Sequence, residues 1–135
     1  MNEWLQLGAL LAHAENGGLR RVAGPADAAW EAVAVGSGEA ELAESGADRL
    51  AILTAGRPTS TWQQDALLRR LRDRGYTGLA LAGAGSFDAG AFRLADRIGL
   101  CLLDVERPIR LAKACWMLVE AREAVTLGQG REVAQ

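Results

Sequence analysis

Aromatic side chains are scarce in this chain, at 5% of 135 residues, although half of the residues fall in the hydrophobic set. Much of the apolar content must therefore be alanine and aliphatic side chains. Lysine is nearly absent: Lys113 stands alone against fourteen arginines, a bias that with the alanine richness points to a GC-rich bacterial genome. One histidine and two cysteines cannot build a closed zinc site from His and Cys alone, so no metal and no cofactor is expected. No stretch reaches the ~18 uncharged apolar residues of a membrane helix. The opening MNEWLQLGALLAHAEN lacks the basic start of a signal peptide, and Glu3, His13 and Glu15 flank or interrupt its apolar run. The expectation is a cytoplasmic protein with no membrane contact. An excess of positive charge is also missing, with a formal net charge of -2 and a pI near 5.4, so direct nucleic-acid binding is not expected.

What is present suits one folded α/β domain. Charged residues make up 24%, normal for a globular chain, and the length fits a single core. Trp4, Leu7, Leu11 and Ala14, with Leu10 beside them, recur at helical spacing up to Asn16-Gly17-Gly18. Leu19 to Ala23 and Trp30 to Val35 read as strands, and Glu39 to Glu44 as one short helix. Leu50 to Thr54 is a continuous apolar run, as expected for a strand buried on both faces. Ser60 or Thr61 can cap the next helix, with Gln63 or Gln64 completing a capping box. That helix turns Leu67, Leu68 and Leu71 inward and stops at Gly75. Gly78 to Ala82 is a strand. Asp88 to Ile98 is a helix with Phe92, Ala95 and Ile98 inward, and Leu100 to Leu103 is another strand. Pro108 suits the first turn of a long final helix running to about Leu127. Strands alternating with helices imply right-handed crossovers and parallel pairing. The fold class is thus α/β, a mostly parallel β-sheet flanked by helices, with a long C-terminal helix. Residues 1–127 form one domain, and 128–135 read as a frayed or truncated tail.

The order of these stretches resembles the N-terminal domain of the purine catabolism regulator (PucR) family of bacterial transcription regulators. The similarity rests on WEAVAV, LAILTAG, RGYTGLALAG and LADRIGLCLLDVE, and covers roughly residues 5–120. Arg49, Ala55 and Cys101 depart from the family's usual acidic residue, second threonine and proline. The resemblance implies a regulatory, effector-sensing domain placed ahead of a middle domain and a C-terminal helix-turn-helix. No helix-turn-helix is visible, so the chain is expected to be the sensor part alone.

Ligands of open parallel sheets bind beyond the carboxyl ends of the strands. Three loops fall there: Thr54-Ala55-Gly56-Arg57-Pro58-Thr59-Ser60-Thr61, Gly83-Ala84-Gly85-Ser86 and Asp104-Val105-Glu106-Arg107. The candidate ligand residues are Thr54, Gly56, Arg57, Thr59, Ser60, Thr61, Gly83, Gly85, Ser86, Asp104 and Arg107. Hydroxyls, guanidinium groups and a helix N-terminus suit a carboxylate, a phosphate or a polar heterocycle. The opposing reading is that the hydroxyls cap helices, the glycines make turns and the arginines are solvated or paired.

Other clusters read as structural. Asp88 occupies the third glycine position of a G-x-G-x-x-G match, so a dinucleotide site is weak. Arg69, Arg70, Arg72 and Arg74 form a solvated, ion-paired helix face with Asp65 and Asp73 in reach. His13 sits on a polar face, neither Ser37 nor Ser86 lies in a true G-x-S-x-G elbow, and Asp104 and Glu106 alternate to opposite sides. No catalytic residue is assigned, and the chain is read as a non-enzyme. Cys101 and Cys115 are expected as buried, reduced thiols.

In the last helix Leu111, Cys115, Trp116, Met117, Leu118 and Val119, with Ala112 and Ala114, cover most of the circumference. They are the candidate dimer or interdomain interface, with a second copy or the downstream domain as partner. A wide core stripe with Met117 exposed is the bland alternative. The expected function is a regulatory domain responding to a small-molecule effector. The alternatives are a dimerisation or docking module without a ligand, and a small phosphate-binding α/β domain or enzyme.

Overall fold

A computed structural model describes the backbone of residues 5–55, 58, 60–83 and 87–134, with side chains through 121. In chain order the elements are β1 (Leu5–Gln6), α1 (Leu7–Ala12), β2 (Arg20–Ala23), β3 (Ala29–Trp30), β4 (Ala32–Gly36), a 3-10 turn at Glu39–Glu41, β5 (Arg49–Leu53), α2 (Thr61–Asp73), β6 (Gly78–Ala82), α3 (Ala89–Ile98), β7 (Cys101–Val105) and α4 (Pro108–Ala134). Among the described residues the main sheet has five strands in the order β2-β7-β6-β5-β4. Strands β4 to β7 are parallel, and β2 pairs antiparallel with β7. The sheet is therefore mixed and mostly parallel.

Both faces of the sheet are covered, so its central strands are almost wholly apolar, with Arg49 at the start of β5 and Asp104 in β7 as the exceptions. Ala51, Leu53, Leu79, Leu81 and Leu102 face a layer containing Leu67, Leu68, Leu71, Phe87, Ala91, Leu94 and Ala95 of α2, α3 and their approach. Leu50, Ile52, Ala80, Cys101 and Leu103 face Leu7 and Leu10 of α1, Trp30, and Leu111, Ala114 and Cys115 of α4. Each crossover from β5 to β6 and from β6 to β7 steps to the next strand in one direction. This places α2 and α3 on the same face. α4 turns to the other.

Several expectations need correction. Residues 5–6 form a strand, not helix, and pair antiparallel with β3. The first helix is shortened to Leu7–Ala12 and buries Leu7 and Leu10, leaving Leu11 exposed; Trp4 lies outside the described residues. The strand expected at 30–35 is two strands broken at Glu31, whose N–H turns aside to the Asp48 carbonyl at 2.8 Å. The helix expected at 39–44 is only the 3-10 turn. In α3 the buried stripe is Ala91, Leu94 and Ala95, with Phe92 and Ile98 half-buried. The expected end of α4 near Leu127 and the tail 128–135 lie beyond the described side chains.

Candidate functional site

Backbone pairing lines up Gly36, Leu53, Leu81 and Asp104 in one row at the carboxyl edge of the sheet. Asp104 is thus two strands from Leu53, roughly 10 Å at ~4.8 Å per strand. Because β4 to β7 run in order without reversal, these strands have no switch point at which successive loops diverge into a crevice. The strand ends that lead into the three loops therefore sit side by side along an edge.

The described hydroxyls of the first loop, those of Thr54, Ser60 and Thr61, are engaged in structure. Half-buried Thr54 donates its N–H to the Gly36 carbonyl at 2.9 Å and its hydroxyl to the same oxygen at 3.4 Å. Ser60 is the N-cap of α2: its Oγ accepts from Gln63 N at 3.3 Å, and Gln63 Oε1 accepts from Ser60 N at 3.4 Å. Of the two capping pairs open to the sequence, this one is realised. Thr61 donates to Asp88 Oδ2 at 2.8 Å, and Asp88 caps α3 by accepting from Ala91 N at 3.0 Å. Asp88 N donates to Gln64 Oε1 at 3.1 Å, which explains why Gln64 is buried on α2. Two helix N-termini are thereby latched together. The Ala91 N–H bond, then the Thr61 hydroxyl, hold the Asp88 carboxyl below its ordinary range.

The third loop leads elsewhere. Gly83 begins the turn after β6, with its N–H on the Val105 carbonyl at 2.9 Å. Asp104 is buried and accepts from Arg20 Nη2 on β2 at 3.0 Å. Gly18, Arg20, Asp104, Val105 and Glu106 line a small cleft of about 120 Å³. Exposed Arg107 opens α4, its carbonyl accepting from Arg110 N and Leu111 N. The Gly17 carbonyl accepts from both Glu106 N and Arg107 N at 2.9 Å. Gly17, at φ +74, approaches the Arg107 carbonyl too closely for a side chain. The Asn16-Gly17-Gly18 stop thus also folds over the end of β7. Gly56, Arg57, Thr59, Gly85 and Ser86 lie outside the described residues.

A larger cleft of about 500 Å³ opens at the end of β5, lined by Glu39, Leu53, Pro58, Trp62, Gln63, Ala66, Leu67 and Arg70. Arg70 closes its rim by gripping Glu39 through Nε at 2.8 Å and Nη2 at 2.7 Å. The hydrogen bond from Arg70 holds the Glu39 carboxyl below its ordinary range, and Glu39 raises the Arg70 guanidinium. Trp62, 71% exposed, stands over this cleft in the first turn of α2. Sequence reasoning missed both Trp62 and Glu39. The signal for Trp62 was its place off the 64/67/68/71 stripe: a large aromatic on a polar helix face. Glu39 carried no signal, since its partner is 31 residues away.

The arginine-rich helix presents the exposed, ion-paired face expected of it, with Arg69, Arg70 and Arg72 exposed and Arg74 half-buried. Arg69 pairs with Asp65 at 2.9 Å as anticipated. Arg72 donates to the Ile98 carbonyl at the end of α3, and Arg74 donates to the carbonyls of Leu42, Ala43 and Glu44. Ser37 is held by Glu41, whose carboxylate accepts both its N–H at 2.6 Å and its hydroxyl at 2.8 Å. His13 follows α1, in the layer across the sheet from α2, and its Nδ1 accepts from Glu15 N at 3.0 Å. Cys101 and Cys115 are buried and free, and burial pushes each thiol up to about 12; thiols so protonated are poor nucleophiles. Among the described residues no group of three or more His, Cys, Asp or Glu is placed to hold a metal ion, and no helix is long and apolar enough to cross a membrane.

The expected interface on α4 divides. Leu111 and Cys115 are fully buried against the chain's own sheet, and so cannot meet a partner. Leu118 and Val119 are half-buried, and Trp116 and Met117 are exposed. A helix with so many apolar residues has a covered side and an open one.

Comparison with known protein families, with curated proteins and with solved structures gives no match.

Proposed function

We propose that this chain is an effector-sensing regulatory domain of a PucR-like bacterial transcription regulator, acting from the cytoplasm on a DNA-binding domain further along the same protein. It is a binding domain, not an enzyme. The observation that carries the reading is the cleft of about 500 Å³ at the carboxyl end of β5. Its floor is apolar, one wall is the exposed Trp62 indole, and its rim carries the Glu39–Arg70 pair. Such a site suits a small planar or amphipathic molecule with a polar edge. The candidate loop of Thr54, Gly56, Arg57, Thr59, Ser60 and Thr61 borders it in sequence, while Gly83, Gly85 and Ser86 follow β6 in sequence and Asp104 and Arg107 lie at and after the end of β7.

The signal would leave through β5 and α4. Leu53 lines the cleft, while its neighbour Ile52 packs in the cluster that contains Leu111 and Cys115 of α4. A ligand that binds one pose of β5 more tightly shifts the pose of α4 by its differential affinity. In this reading α4 runs on as one long helix toward the next domain.

Thermal shift against purines, ureides, nucleotides and amino acids tests the proposal. A saturable stabilisation that Trp62→Ala abolishes, with the unliganded fold intact, is expected. No stabilisation by any class leaves the second reading, a ligand-free docking module, which the exposed face of α4 favours.

A further inference from the structure

The open side of α4 is patterned in charge as well as in apolarity. Ile109 is 57% exposed, Trp116 64% and Met117 43%. Lys113 and Glu120 are exposed as well. At 100° per residue, Ile109, Lys113 and Glu120 fall within about 40° of one another, with Trp116 and Met117 to either side. The buried Leu111, Ala114 and Cys115 occupy the opposite side. Lys113 and Glu120 are seven residues apart, roughly 10 Å along the axis, beyond direct contact within one helix. Among the described residues neither is ion-paired. Read from its N-terminal end, the stripe runs apolar, positive, aromatic, thioether, negative.

We infer that this stripe is the contact surface of a symmetric dimer in which two copies of α4 pack antiparallel. The midpoint of Lys113 and Glu120 falls between residues 116 and 117. A two-fold axis through that point sets Lys113 of one copy beside Glu120 of the other, twice over, and sets Trp116 against the partner subunit's Met117. An isologous interface requires such a self-complementary surface. Parallel packing would oppose lysine to lysine and glutamate to glutamate, and like charges so placed are repulsive. The charge order therefore selects a second copy of this chain and the antiparallel direction. Tryptophan at the centre of the patch suits an interface anchor, and sulfur–aromatic contact suits methionine. The inference rests on α4 as the partner-binding helix and is independent of ligand sensing.

Sedimentation velocity and light scattering on the whole chain, over a range of concentration at low salt, provide the test. The expected mass is twice 14.3 kDa. Lys113→Glu and Glu120→Lys should each weaken dimerisation, about tenfold or more, by setting like charges together. The double variant should restore it to near the starting value, with the pairs reversed in sign. Trp116→Ala should weaken the dimer, with circular dichroism confirming that the fold is kept. A chain that stays monomeric at high concentration overturns the inference, and so does a dimer indifferent to the single charge reversals or unrestored in the double variant. Loss of the dimer leaves effector binding at Trp62 standing, and a dimer that binds no effector leaves this inference standing, so the two readings fail separately.

Discussion

Gly78 opens β6 directly against the Trp30 indole: a β-carbon there would lie 2.6 Å from Nε1. Trp30 is fully buried and has little room to yield. Gly78→Ala should therefore cost about 1–3 kcal/mol by overpacking, read as a lower midpoint in urea melts. Glu39 is the residue whose titration should be felt. Its carboxyl is held below the ordinary value of 4.5, first by the Arg70 hydrogen bond. A depressed folded value means stability that is fully present above the unfolded value and lost as pH falls through the folded one. Urea melts from about pH 6 down to pH 2 should show a drop in the acid limb, and Glu39→Gln should make that limb shallower. An unchanged limb would show that the pair contributes nothing, as many exposed pairs do.

At the scale of elements, α2 is the hub. It caps itself through Ser60 and Gln63, latches α3 through Thr61 and Gln64, and pins the segment after the 3-10 turn through Arg74. Three carbonyls, those of Leu42, Ala43 and Glu44, take that one guanidinium. Arg74→Ala should destabilise by about 1–3 kcal/mol and speed proteolytic cleavage between residues 42 and 46. Elements built on local chemistry were legible in the sequence. The capping box, the Gly75 stop and the doubly buried β5 and β6 follow from residue order alone. Elements defined by a distant partner were not. β1 is two residues long and exists because it pairs with β3. The antiparallel sense of β2 depends on β7, and the break at Glu31 depends on Asp48. The candidate site divides the same way. The capping role of Ser60 was readable, but the Trp62 cleft needs Glu39 brought to Arg70 across 31 positions.

For the molecule as a whole, the N-terminal segment closes what the rest begins. Arg20 on β2 meets Asp104 on β7 across 84 positions. Arg20→Ala takes a cation from a buried carboxylate, and a contact of such sequence separation is expected to form late. It should raise the unfolding rate more than it lowers the folding rate, which stopped-flow measurements in urea would separate. The uninterrupted march of β4, β5, β6 and β7 has the complementary meaning for how the chain acquires its structure. Each unit can add beside the one before it in sequence, so the parallel part of the sheet, four of its five strands, is expected to grow by short closures without a distant strand as a template. The edge that ends this growth is β7, and β2 covers it by reaching back across the whole chain. Assembly by accretion, sealed by one late strand, would give a polarity in time to a sheet whose hydrogen bonds look equivalent in space.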